Sequence, residues 1–114
     1  MAEAAPEPEK LRFLTPEKCF AVREQYGTPC YVYDEASLRS RAQKATSFPN
    51  AYGLHARFAM KAAPNAAILK VFHELGMWID ASSGFEVGRA LSVGFEPEKI
   101  SLSTQELSPG RVCH

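Results

Sequence analysis

Apolar positions along this chain change period several times, and the changes mark its elements. Between Asn65 and Leu75 they fall at Ile68, Leu69, Phe72 and Leu75, the three- and four-residue spacing of a helix with one buried side. Gly76 stops that helix, and Met77 to Ala81 reads as a strand. Gly84 to Val93 is a second helix stopped by Gly94, and Ile100 to Ser103 a further strand. Upstream, residues 57 to 62 alternate as a strand does: Arg57, Ala59 and Lys61 share one face, while Phe58, Met60 and Ala62 share the other. Pro64 suits the first turn of the following helix, where its missing N–H costs nothing. Strand, helix, strand, helix, strand at this spacing predicts right-handed βαβ units and a parallel sheet.

The first third of the chain is patterned differently. Thr15-Pro16 offers an N-cap and a proline at the first helical position, so a helix runs from about Pro16 to Gln25 and Gly27 closes it. Thr28-Pro29 introduces a short strand from Cys30 to Tyr33. Asp34 is placed to cap a helix from Glu35 to Thr46, whose inward stripe is Leu38, Ala42 and Ala45. Phe48-Pro49-Asn50 ends it. Residues 1–14, rich in Ala, Pro and Glu at their start, read as a disordered tail, and residues 109–114 as a second tail.

Composition narrows the function classes. A chain of 114 residues is long enough for one domain, and its formal charge is zero. No basic excess points to nucleic acid, and no apolar run approaches the ~20 residues of a membrane span. The acidic N-terminus lacks an apolar core and arginines, so it reads as neither signal nor transit peptide. Cys19, Cys30 and Cys113 are odd in number and widely separated, which fits a reduced, cytoplasmic protein without disulfides. Nothing resembles a metal site.

The chemistry concentrates after the first βα strand. Lys61 stands among Ala59, Ala62 and Ala63 at a strand end that leads into a helix. In parallel α/β folds ligands collect at that edge. Partial burial favours the free amine over the ammonium, which suits bonding to a carbonyl carbon, and the alanines leave room for a flat group. A surface lysine ending a strand is the plainer reading. Asp80 ends the next strand at the same mouth, where it either faces Lys61 or caps the following turn. Glu86 lies three residues after Ser83, the spacing of a capping box. His55 and His73 read as surface residues of their elements.

Three blocks occur in order: Tyr31-Val32-Tyr33-Asp34, Phe58-Ala59-Met60-Lys61-Ala62-Ala63-Pro64-Asn65, and Gly76-Met77-Trp78-Ile79-Asp80-Ala81-Ser82-Ser83-Gly84-Phe85-Glu86. Together they resemble the N-terminal part of the fold-type III pyridoxal-phosphate decarboxylases, the diaminopimelate, ornithine and arginine decarboxylase group. The Lys-Ala-x-Pro-Asn form is most similar to the diaminopimelate branch. The resemblance covers roughly residues 26 to 108. It implies the α/β fold of an alanine racemase-like (β/α)8 TIM barrel, of which residues 34–108 would be the opening part. Residues 15–33 would supply a helix and a strand that pairs with a C-terminal β domain. Pyridoxal 5'-phosphate is the implied cofactor, carried by Lys61, with Asp80 and Glu86 near it. Arg57, on the face of Lys61, would approach the phosphate or serve as a buried structural partner. The implied partners are an amino-acid substrate and a second subunit in a homodimer, with neither nucleic acid nor membrane.

Two positions depart from the family pattern. Ala63 stands where an asparagine commonly follows Lys-Ala, and Phe85 where a second glycine is frequent. The glycines are scattered, with no cluster to cradle a phosphate. A whole barrel needs ~250 residues. The chain therefore reads as the N-terminal portion of such a decarboxylase, inactive alone. Other readings are a non-catalytic short form that pairs with a full-length relative, an incomplete gene product, and a racemase-like cofactor-binding protein.

Overall fold

The computed structural model describes residues 12–105, which fall into two compact units divided after Asp34. In the first unit, helix α1 spans Pro16–Tyr26. The Thr15 hydroxyl accepts a hydrogen bond from the Lys18 N–H, and Gly27 ends the helix at a φ of 79° that a side chain would disfavour. Cys30 to Tyr33 forms no strand, which corrects the sequence expectation. A strand needs a ladder, and among the described residues of this unit there is one helix and no strand to pair with the segment. Tyr31 is almost fully exposed and Val32 half-buried.

The second unit begins with helix α2, Glu35–Thr46, on the predicted boundaries. Strand β1 is Arg57–Ala59, shorter than predicted, because Met60–Ala62 folds into a 3₁₀ turn closed by the Ala63 N–H on the Met60 carbonyl. Met60 is thereby carried into the core, fully buried, and the alternation that would have continued to Lys61 stops at Ala59. Helix α3 is Ala66–Glu74, capped by the Asn65 side chain on the Ala67 N–H at 2.9 Å. Pro64 therefore precedes the cap rather than opening the helix. Strand β2 is Trp78–Ala81, helix α4 Gly84–Val93, and strand β3 Ile100–Leu102, entered through a 3₁₀ turn at Pro97–Lys99. The strands form a parallel sheet in the order β1-β2-β3, so the α/β reading with a parallel sheet stands.

Two clusters of apolar side chains hold the unit together, and α3 takes part in both. Toward the sheet, Leu69 packs with Met60, Ile79, Ala81, Ala90 and Phe95. Toward α2, Ile68, Val71 and Phe72 pack with Ala42 and Met77, and Leu38 closes the margin. Burial on two sides explains why Val71, outside the predicted stripe, is buried as well. Phe58 of β1 touches both clusters and meets Phe72 at 4.4 Å between ring centres. Arg39 on α2 bonds Glu35 on its own helix and Glu74 at the end of α3, each at 2.8 Å. Among the described residues no helix is long and apolar enough to cross a membrane.

Candidate active site

Register decides which side chains meet. Phe58 lies opposite Ile79 and Ile79 opposite Ile100, and this face of the sheet packs into the core. The intervening residues turn to the other face: Arg57 beside Trp78, and Ala59 beside Asp80, which lies beside Ser101. All of these are exposed or half-buried, so the sheet presents one apolar face and one open, polar face. Trp78 forms the floor at one end. The His55 ring stacks on it with centres 3.8 Å apart, and the Arg57 guanidinium lies 4.7 Å from its ring centre. Arg57 is thus exposed, with its guanidinium on an aromatic ring.

Asp80 is the best-organised polar group on this face. Its Oδ1 accepts from the Ser103 hydroxyl at 2.7 Å and the Ser101 hydroxyl at 2.9 Å. Those two bonds, Ser103 first, hold its carboxyl below the usual aspartate range, and the charges of Arg57 and then Lys61 pull the same way against partial desolvation. Lys61 thus contributes to the field at Asp80 without forming an ion pair with it. Lys61 itself is exposed, not partly buried, because the 3₁₀ turn lifts it off the strand.

Glu86 is half-buried at the start of α4. The Ser83 hydroxyl accepts from the Glu86 N–H at 3.3 Å, the first half of the expected capping box. The second half differs: the Glu86 carboxylate takes the N–H of Ser82 at 2.6 Å, one residue before the cap. The loop from Asp80 to the helix is therefore pinned from both ends. Arg89 on α4 donates to the Pro64 carbonyl at 3.2 Å and so fixes the chain just beyond Lys61. Phe85, 76% exposed, Pro64 and Arg89 border an open groove of about 600 Å³.

The residues fit a pyridoxal group at its carbonyl end. An exposed amine stands just past the C-terminal end of β1, followed by Ala62 and Ala63 and preceded by Met60, whose side chain is buried in the core, and its charge adds to what holds the Asp80 carboxyl low. Sequence reasoning placed Lys61, Asp80 and Glu86 here but missed Ser101, Ser103 and Arg89. The serines had a visible signal, since Ile100-Ser101-Leu102-Ser103 alternates with both hydroxyls on one face. Among the described residues no three His, Cys, Asp or Glu side chains converge as a metal site would need. Cys19 and Cys30 are free thiols, and Cys113 lies outside the described residues.

Comparison with known proteins points the same way as the geometry. The family described as pyridoxal-dependent decarboxylase, pyridoxal binding domain, matches residues 36–108. A diaminopimelate decarboxylase of Zymomonas mobilis is 40% identical over 85 residues, covering 72% of this chain and 20% of that protein. One of Bacillus subtilis is 42% identical over 82 residues, and one of Methanothermobacter thermautotrophicus 37% over 79 residues, each covering 68% of this chain and 18% of its own length. The chain spans about a fifth of the length of the curated relatives it matches.

Proposed function

This chain belongs to the pyridoxal-dependent decarboxylases, matching their pyridoxal-binding domain, and on that premise we propose that it supplies the cofactor-holding part of a diaminopimelate decarboxylase. Its three parallel strands are then the first of an eight-stranded barrel. Its substrate is an amino acid, a small molecule, and the working enzyme is a cytoplasmic homodimer. The observation that carries the reading is the placement, at adjacent strand ends, of an exposed lysine and an aspartate whose carboxyl is held low by two serine hydroxyls.

Bound pyridoxal phosphate supplies an electron sink for the pair released when carbon dioxide leaves an α-amino acid. The residues of this chain divide the remaining tasks. Lys61 would be the residue that holds the group covalently, through an amine exposed just past the end of β1. Asp80, held by the Ser101 and Ser103 hydroxyls, would present a negative charge toward that amine. The alanines around Lys61 leave space for a flat ring. Glu86 keeps the 81–85 loop in shape by accepting from the Ser82 N–H, and it lies near the cofactor without reacting. Arg57, propped on Trp78, adds positive charge to the same face and is the candidate within this chain for approaching the phosphate.

Borohydride reduction in the presence of pyridoxal phosphate, followed by peptide mapping, tests the anchor in the protein that carries this sequence. The pyridoxyl group is expected on Lys61 and absent from the Lys61→Ala variant. A label concentrated on Lys18, Lys44, Lys70 or Lys99 would sink the assignment.

A further inference from the structure

We infer that Ser101 and Ser103 act as a two-point clamp that positions Asp80 for Lys61, directing both hydroxyls to one carboxylate oxygen and leaving the other for the amine. The inference rests on the reading of Lys61 as the cofactor's anchor. Its starting point is register. Ser101 lies directly beside Asp80 across the β2–β3 ladder, and Ser103, two residues further, returns to the same face. The Ser103 backbone is itself fixed, since its N–H donates to the Ala81 carbonyl at 2.8 Å. An exposed serine is thereby held in place beside the carboxylate it serves.

A hydroxyl has one proton to give. The Ser101 oxygen lies 3.3 Å from the Ile79 carbonyl but 2.9 Å from Asp80 Oδ1, and the shorter, charge-assisted contact is the stronger. With Ser103 at 2.7 Å on the same atom, rotation of the carboxylate about Cβ–Cγ would break both bonds. Neither serine uses Oδ2. A clamp of donors also selects the anion, because a proton on Oδ1 would compete with both hydroxyls.

The charged groups that face Asp80 are Arg57 on β1 and Lys61 after it, while β3 contributes only neutral hydroxyls. Neither cation forms an ion pair with Asp80, and Arg57 is engaged with Trp78. The orientation of Asp80 therefore does not depend on Lys61 being charged. That matters for a lysine that alternates between a covalent bond and a free ammonium: a partner held by the lysine would drift each time the bond formed, whereas one held by β3 stays aimed.

The test compares the parent protein with Ser103→Ala, Ser101→Ala/Ser103→Ala, Ser103→Thr and Asp80→Asn, with urea midpoints and circular dichroism to show that each folds. One readout is the ¹³C carboxyl titration of Asp80, which needs no cofactor. The other is site-resolved pyridoxylation of Lys61 against pH. We expect the Asp80 midpoint to rise in Ser103→Ala and rise further in the double variant. The acid limb of Lys61 labelling should move up with it, and Ser103→Thr, which keeps the hydroxyl, should restore both. An unmoved Asp80 midpoint in the double variant overturns the clamp. So does an unchanged labelling profile there when Asp80→Asn alters it, and in that case the anchor reading survives. Absence of pyridoxyl on Lys61 in the parent overturns the anchor reading, and with it any service of the clamp to Lys61, even where the titration shows the serines bonding Asp80.

Discussion

Ile79→Ala is the substitution for which the structure fixes a magnitude most directly. Ile79 is fully buried at the centre of the middle strand, against Met60, Leu69, Ala81, Ala90 and Phe95. Truncation at such sites costs about 2–5 kcal/mol, the transfer of the lost carbons plus the cavity they leave. Met60, unbranched and adjacent, can relax into part of that space, which places the expected loss near 3 kcal/mol. A unit of this size has a total stability of roughly 4–12 kcal/mol, so the change removes a large share. Ile79→Val, which deletes one methyl group, should cost about 1 kcal/mol. Equilibrium urea unfolding measures both, followed through Trp78, the only tryptophan in the chain and the neighbouring residue on β2. With a slope of about 1–1.5 kcal/mol per molar urea, the alanine variant should lose 2–3 M in midpoint. The exposed Ser92→Ala serves as the control and should stay within about 0.5 kcal/mol. A loss below about 1 kcal/mol for Ile79→Ala, or one no larger than for Ile79→Val, would refute the placement of β2 at the centre of this core.

Glu86→Ala removes the acceptor of the 2.6 Å bond from Ser82 and an acidic group from the first turn of α4, and should cost about 1–2 kcal/mol in urea unfolding. Glu86→Gln keeps an acceptor, so most of that stability should remain. In a decarboxylation assay of the protein carrying this sequence, Asp80→Ala should impair turnover more than Glu86→Gln, and the reverse order would show that the two roles are misassigned. The 114-residue polypeptide expressed as such should release carbon dioxide only at background from diaminopimelate, ornithine, arginine or lysine in the presence of pyridoxal phosphate. Lys61-dependent release from it would contradict the proposal that the remaining catalytic groups lie elsewhere.

What the sequence made legible were the features set by neighbours along the chain. Both ends of α2 and α4 follow from local signals, and Thr15 and Ser83 cap their helices as expected, whereas Asn65 takes the cap where Pro64 was expected to open the helix. The parallel pairing that sets Ala59 beside Asp80 was likewise legible, from the strand–helix–strand spacing. The misses needed tertiary information. Alternation alone extends β1 to Lys61, and only the pull of Met60 into a core built from α3, α4 and β2 ends it at Ala59. Cys30 to Tyr33 has strand-forming side chains, but pairing is a property of two segments, and the described residues of its unit offer no second one. The serine bonds to Asp80 depend on how β3 registers against β2, which no period in a single segment encodes.

The open face of the sheet also bears on how the chain is made. Synthesis proceeds at about 5–20 residues per second and from the N-terminus, so β1, β2 and β3 exist as a layer before anything C-terminal to them is available. A layer with two greasy sides would invite collapse onto neighbouring nascent chains during that interval. Here the side away from the helices carries Arg57, Trp78, Asp80, Ser101 and Ser103, wettable groups for the most part, while Phe58, Ile79 and Ile100 already have α3 and α4 as cover. The outer rims of β1 and β3 keep backbone donors and acceptors unspent within the sheet. The residues that equip this surface for chemistry would thus also let it wait in water, with hydrogen bonding at its rims, rather than greasy contact across its face, choosing what joins next.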